Sequence, residues 1–307
     1  MTRAPSPDHV TILICTYNGG DWLQAQLDSF LAQDHDNWSL WVSDDGSTDD
    51  TRDILARFAD RHPDRVGRIV EGPRRGSARN YLELACHPNL PPGFAAFSDQ
   101  DDVWMPHKLS RALIRLREGG DEPAAWGARY QVTGPDLRPQ HIAGTWPRGP
   151  SFGNAVVQNI LSGHTLTLNP AALALLRRAG VRDVPHHDWW IYLLMAAAGA
   201  RIIADDAVVL SYRQHGRNTV GVRSSLGSRL RRLRMLLRGD LGEWVAANLR
   251  ALEQAGTVID PQARAFAQHW REASAAGRLR LMQRLAIHRQ SHVETALIRL
   301  SALLGRL

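Results

Sequence analysis

The amino-acid sequence predicts an α/β fold, a mostly parallel sheet with helices on both faces, followed by a helical C-terminal extension. Three observations predict it. β-Branched runs alternate with helical patterns through the first hundred residues, which is the pattern of parallel strands joined by helical crossovers. Polar clusters rich in Asp, Asn, Gly and Ser follow three of those runs. From residue 223 the chain turns helical and arginine-rich, so the expected division is a body at 1–222 and an extension at 223–307.

The elements follow in order. "VTILIC" is the first strand, and "GGDWLQAQLDSFLAQ" sets Leu23, Leu27, Phe30 and Leu31 on one helical face. Asp21 and Gln24 have the spacing of a capping box. The cycle repeats with "LWVSD", "TDDTRDILARFADRH", "VGRIVEG", "GSARNYLELACH" and "FAAFSD". Such crossovers are right-handed, and ligands in such sheets bind at the carboxyl ends of the strands. After Pro106 come a helix "PHKLSRALIRLRE", a strand "AAWGARYQV" and a Gly/Pro-rich connection over 133–150. Next are "SFGNAVVQNILSGHTLTLNPAALALLRRAG", "VPHHDWWIYLLMAAAG" and two strands, "RIIAD" and "AVVLSYRQHGRNTVG".

With 307 residues and 44% apolar content the chain can bury a sizeable core. Cys15 and Cys86 lack CxxC or Cys/His spacing, so neither a disulfide framework nor structural zinc is expected, and a reducing cytoplasm fits. The first fifteen residues lack the apolar core of a signal peptide, and no stretch reaches the ~18 apolar residues of a membrane span. Net charge is +6 and lies wholly in the tail, where residues 221–307 hold fifteen arginines against six acids. A basic tail suits nucleic acid, anionic lipid or a lipid-linked diphosphate, or it is a solvated helix face.

"CTYNGG", "SDDGSTDD" and "SDQDD" each follow a strand and should therefore converge on one crevice. Asp99 and Asp101 are two apart, so their carboxylates can face one divalent cation or one ribose with its diphosphate. Mg2+ or Mn2+, hard cations that prefer oxygen ligands, suit such an open site. The plainer reading is a solvated acidic loop, which Trp104 and Met105 oppose by holding the loop against packed structure. Asp44 and Asp45 stand at a strand end where a carboxylate can accept from a base N–H or a ribose hydroxyl, while Thr48 to Asp50 cap the next helix. Trp22 and Trp38 read as packing.

"TILICTYNGGDWL", "WVSDDGSTDDT", "GSARN", "FSDQDDVWMPHKL", "SGHTLTLN", "HHDWW" and "YRQHGRNTVG" occur in an order that resembles family 2 glycosyltransferases over roughly residues 9–221. "SDQDDVW" and "HDWW" with "YRQHG" look most like the bacterial rhamnosyltransferase-like subgroup. The resemblance implies a GT-A, Rossmann-like fold and inverting transfer of one hexose, L-rhamnose from dTDP-rhamnose being the favoured donor. It places Asp45, Thr16, Asn18 and Arg79 near the nucleotide, with Asp99 on the nucleotide side of the metal loop. Asp101 falls at the principal metal ligand, and His215 lies near the metal or the diphosphate. Asp188 matches the catalytic base, and it also reads as the N-cap of its helix. Trp189 and Trp190 could wall it and raise its pKa. His164, His187 and Trp189 are acceptor-side candidates, while for any one of these histidines a satisfied structural role is the plainer reading.

The partners implied are a dTDP- or UDP-sugar and a glycan or lipid-linked acceptor. The arginine-rich extension, through "SRLRRLRMLLRG", could dock the protein to the inner face of the cytoplasmic membrane. No "QxxRW" signature or membrane span occurs, which disfavours a processive polysaccharide synthase. A nucleotidyltransferase would need a Gly-rich basic loop after the first strand, and the chain's only lysine is Lys108. A non-catalytic sugar-nucleotide-binding protein is opposed by the intact Asp45, Asp99, Asp101 and Asp188. Nucleic acid is not expected, because the body shows no aromatic-basic stacking platform.

Overall fold

The computed structural model describes residues 7–216 and 239–307. Strands β1 (Val10–Thr16), β2 (Trp38–Asp44), β3 (Val66–Glu71) and β4 (Phe94–Ser98) pair in parallel, in the order β3-β2-β1-β4. Helices α1 (Gly20–Leu31), α2 (Thr51–Arg61) and α3 (Ser77–Ala85) connect them. The sheet then continues through β8 (Thr167–Leu168), β6 (Ala124–Thr133), β9 (Arg201–Arg213) and β5 (Val103–Trp104), with β7 (Pro139–Ala143) beside β6. β6 and β9 are parallel, whereas β5, β7 and β8 run antiparallel to their neighbours. The stretch read as two strands, "RIIAD" and "AVVLSYR", is the single strand β9, which shifts register against β6 around Arg129.

Alternation along β1 feeds two cores. Val10, Ile12 and Ile14 face one, with α1, α2 and α4 (Lys108–Arg117), while Leu13 and Cys15 face the other. That second core holds α3, α5 (Phe152–Ala155), α6 (Pro170–Ala179) and α7 (His187–Ala197). Leu249 and Leu252 of α8 (Asp240–Gln254) and Phe266 and Trp270 of α9 (Pro261–Glu272) join it, beside Trp190 and Leu193 of α7. Each such burial contributes about 1.5–3 kcal/mol, so these helices are built into the same core. The expected 222/223 boundary and the "SRLRRLRMLLRG" segment lie outside the described residues.

The expected capping box at Asp21 and Gln24 does not form. α1 starts at Gly20, and the loop after β2 takes the cap instead: Gly19 N donates to Thr51 Oγ1 (2.9 Å) and Gly20 N to Asp49 Oδ2 (3.0 Å). Gln24 turns along the helix to Asp28 (2.8 Å). Asp49 also accepts from the Thr51 amide (3.1 Å) at the start of α2. Among the described residues no helix is long and apolar enough to cross a membrane.

Candidate active site

The ends of β1, β2, β4 and β9 meet in one crevice. On the β1–β2 side Thr16 donates its hydroxyl to Asp44 Oδ2 (2.8 Å), and Asp44 also accepts from Ser47 N (2.9 Å), Ser47 Oγ (2.6 Å) and Arg52 Nε (2.8 Å). Burial pushes the Asp44 carboxyl up, but these donors hold it below the usual carboxylate range. Thr16, expected near the nucleotide, is buried with its hydroxyl engaged by Asp44. Asn18, with φ of 48°, joins the two loops: its N–H donates to Ser47 Oγ (2.9 Å) and its Oδ1 accepts from Thr48 N (2.8 Å). Asp45 reaches the loop before α3, accepting from Arg74 N (2.5 Å) and Gly76 N (3.2 Å). Arg79 lies along α3 and pairs with Glu83 (2.5 Å). Tyr17, missed in the sequence, leaves its ring 59% exposed at the end of β1, and Gln100 clasps its backbone N–H (2.9 Å) and C=O (3.0 Å).

The loop after β4 is the acidic centre. Asp99 keeps 38% of its side chain open and receives the Tyr81 hydroxyl (3.1 Å), and His164 Nδ1 stands 3.5 Å away. Burial raises the Asp99 pKa, but the hydrogen bond and charge of His164, the charge of His187 and the Tyr81 hydroxyl together lower it. Asp101 Oδ2 meets His215 Nε2 at 2.9 Å, and His215 stacks on Trp22 (5.2 Å between centroids). Trp22 therefore supports the site rather than only packing. Burial and the Asp99 charge push the Asp101 carboxyl up. Asp102 is fully buried: Oδ1 accepts from Arg213 N (3.3 Å), while Oδ2 has no hydrogen-bond donor among the described residues. Burial and the charges of Asp101 and Asp99 push it well up. Beneath it the buried Lys108, its pKa driven well down by burial, donates to His164 O (2.6 Å) and lies 3.3 Å over the Trp104 ring.

These donors fit a hard divalent cation. Oxygen and imidazole donors gather in one loop, and Asp102 Oδ2 is a buried acceptor with no donor among the described residues. The structure offers two sets, the expected Asp101 with His215, and Asp99 with Asp102 and His164, whose ligating atoms lie within 4.8 Å of one another. His164, expected on the acceptor side, stands beside the acidic cluster, because the Gly163–Thr165 turn carries it to Asp99 and Asp102.

Asp188 is the second residue of α7, whose N-cap is His186, so it is not itself the cap. Its Oδ1 accepts from Trp189 N (2.8 Å) and its Oδ2 from Gly163 N (2.9 Å). A carboxylate offers about four lone-pair sites, so two amides leave room for an acceptor hydroxyl. Gly163 is needed there: a Cβ would fall 2.8 Å from His187 Nε2. Successive helical residues turn by ~100°, so the neighbours of Asp188 point in other directions, although His187 stays near enough for its charge to act on Asp99. His187 is buried on Tyr81 (4.1 Å between centroids), Trp189 donates its indole N–H to Ala155 O (2.7 Å), and Trp190 is wholly enclosed. The structure thus places His187 and Trp189, both expected on the acceptor side, inside the fold beside Asp188 with little of either exposed.

The family model for Glycosyl transferase family 2 matches residues 11–184. The chain belongs to glycosyl transferase family 2. It is 25% identical over 230 residues to the dTDP-rhamnosyl transferase RfbG of Shigella flexneri, covering 72% of this chain and 78% of that protein. An uncharacterized glycosyltransferase of Nostoc sp. is 35% identical over 105 residues, 34% of this chain and only 31% of the relative's length. Among solved structures, the mannosyltransferase PcManGT of Pyrobaculum calidifontis, in complex with GDP-Man and Mn2+, shares the fold at TM-score 0.51 and 22% identity, covering 97% of this chain and 86% of that one. The family 2 chain thus has the expected GT-A architecture.

Proposed function

We propose that this family 2 protein is an inverting glycosyltransferase that moves one hexose from a nucleotide sugar to a hydroxyl of a glycan or lipid-linked acceptor. The observation that carries the reading is the Gly163–His164 link. One residue presents its N–H to Asp188 and the next presents its ring to Asp99 and Asp102, which fixes the base candidate against the acidic loop. Asp188 takes the proton from the acceptor hydroxyl as that oxygen attacks the anomeric carbon, and the nucleoside diphosphate leaves on the opposite face. A divalent cation, Mg2+ or Mn2+, held by Asp101 with Asp99 and His215, supplies charge stabilisation to the departing diphosphate when bound. Asp45, Asn18 and Arg79 line the nucleotide side.

The likeness to the rhamnosyl transferase of Shigella supports L-rhamnose from dTDP-rhamnose as donor. A lipid-linked acceptor would bring the protein to the inner face of the cytoplasmic membrane, with the basic extension as the contact. The test is a panel of nucleotide sugars, with and without Mn2+, read by calorimetric binding and slow donor hydrolysis. dTDP-rhamnose should bind and hydrolyse only with the cation. Equal binding in chelator would remove the metal assignment, and hydrolysis of another sugar alone would replace the donor.

A further inference from the structure

Among the described residues, five of the ten exposed large apolar side chains lie within residues 285–304: Leu285, Val293, Leu300, Leu303 and Leu304. Four of them sit on or directly after the last helix, α11 (His292–Leu303). That helix buries Thr295, Ile298, Ser301 and Ala302 against the core. Val293, Leu300 and Leu304, spaced by seven and four, form a stripe on the opposite side, and Val293 is 71% exposed. A helix apolar on two sides has two interfaces, and only one of them is the core.

The charge around the stripe says what the second interface meets. From α10 (Ala275–Arg284) to the end of the sequence there are six arginines and one acid, Glu294, which Arg289 pairs at 3.1 Å. Arg280, Arg284, Arg299 and Arg306 are exposed. A second copy of this chain would bring like charge against like charge, which opposes self-association. Exposed leucines among arginines instead match an anionic bilayer, with apolar side chains at the acyl boundary and guanidinium groups among phosphate headgroups.

We propose that the α10–α11 face is a docking surface for an anionic lipid bilayer. The inference rests on the lipid-linked-acceptor reading and deepens it by naming residues of α10 and α11 as the contact. The face is bolted to the body: Asn154 donates to His288 O (3.0 Å), Gln290 N to Gln158 Oε1 (2.8 Å) and Arg289 Nη1 to Val157 O (3.0 Å). Ala155, in the same stretch, accepts the indole N–H of Trp189, the neighbour of Asp188. Docking there would hold the crevice in a fixed orientation to the bilayer.

The test is co-sedimentation of the full chain with vesicles of phosphatidylglycerol or of phosphatidylcholine alone, at salt of about 0.05 M and about 0.5 M. The protein should bind the anionic vesicles at low salt, and binding should weaken at high salt. Leu300→Asp/Leu304→Asp and, separately, Arg299→Glu/Arg306→Glu should each lower the partition coefficient by about tenfold or more. Leu300→Gln/Leu304→Gln, a milder change at exposed positions, should lower it in the same direction. Wild-type binding by all three variants overturns the proposal. So does a dimer by light scattering that Leu300→Asp/Leu304→Asp converts to monomer, since the face would then meet a second copy. Donor hydrolysis reports separately: its absence in every protein would sink the transferase reading and leave the vesicle result standing.

Discussion

Asp44 and Asp102 are both buried aspartates at the mouths of the central strands, and the fold treats them oppositely. Asp44 receives donors from Thr16, Ser47 and Arg52, and these hold its pKa down against burial. Asp102 receives one backbone N–H, keeps one oxygen without a donor among the described residues, and has its pKa pushed up by burial and then by the charges of Asp101 and Asp99. The β1–β2 loops are a finished hydrogen-bond scaffold, whereas the β4 loop is an under-satisfied cluster. A difference of that kind separates a wall from a binding site, because unpaired buried polar groups are costly unless a ligand completes them.

The largest effects should come from the under-satisfied side. Asp188→Asn is expected to lower kcat by about 10²–10⁴-fold while leaving nucleotide binding by calorimetry intact, since it removes the proton acceptor and disturbs at most one of the Trp189 and Gly163 amide bonds, neither of them to a nucleotide-side residue. Asp101→Ala should abolish transfer together with the Mn2+-dependent part of nucleotide binding. If Asp101→Ala bound donor as tightly as wild type in Mn2+, the β4 loop would be no more a metal site than the β2 loop.

Asp44 should behave as scaffold. Asp44→Asn leaves the Ser47 and Arg52 donors facing an amide, and is expected to cost about 2–4 kcal/mol in denaturant unfolding. The same carboxylate predicts a pH dependence. Its folded pKa lies below its unfolded value of about 3.9, so its stabilisation is present above that pH and is lost as pH falls through the folded value. Asp205, held low by Arg111 (2.9 Å) and the Trp126 indole (3.1 Å) despite burial, adds to the same loss. Acid unfolding below about pH 4 should therefore be shallower in Asp44→Asn than in wild type. An unchanged slope would mean that Asp44 is not the wall the geometry describes.

The same contrast explains what was legible in the sequence. Alternating strands and helices with polar clusters at strand ends fixed the crevice and gathered Asp45, Asp99 and Asp101 into it. Which member of a neighbouring pair is structural was not legible, because Asp44 and Asp45 differ only in the direction of the strand's last residue. The nearness of His164 to the acidic loop was not legible, because it depends on a short turn meeting a loop 65 positions earlier in the chain, at Asp99. His187 and Trp189 were readable in principle: "DWWIYLLMAA" is apolar on every side, and such a helix sends its aromatic residues inward. The C-terminal helices showed apolar faces without showing that these faces complete the core beside α7.

A smaller effect tests the clasp that joins the two regions. Gln100 comes from the acidic loop and makes both its bonds to Tyr17 at the end of β1. Gln100→Ala removes two partly exposed hydrogen bonds of about 1 kcal/mol each, so KM for the donor should rise several-fold with kcat little changed. A fall in kcat with KM unchanged would place Gln100 in the chemistry instead.

The smallest expected change is the most informative about the comparison. Asp102→Asn keeps the shape of the side chain and the acceptor for Arg213 N, and removes a negative charge that the fold disfavours beside Asp99 and Asp101. Lys108, buried below, loses some attraction, but its own pKa is already driven down by burial. In chelator, denaturant unfolding of Asp102→Asn should therefore match wild type within about 0.5 kcal/mol or exceed it, the opposite sign to Asp44→Asn. Added Mn2+ should then stabilise wild type more than the variant if the cation takes the set of Asp99, Asp102 and His164, and both equally if it takes Asp101 with His215. A loss in chelator as large as that of Asp44→Asn would show that Asp102 is tied into the fold as firmly as Asp44, and the distinction between wall and site would have to be redrawn around Asp99 and Asp101 alone.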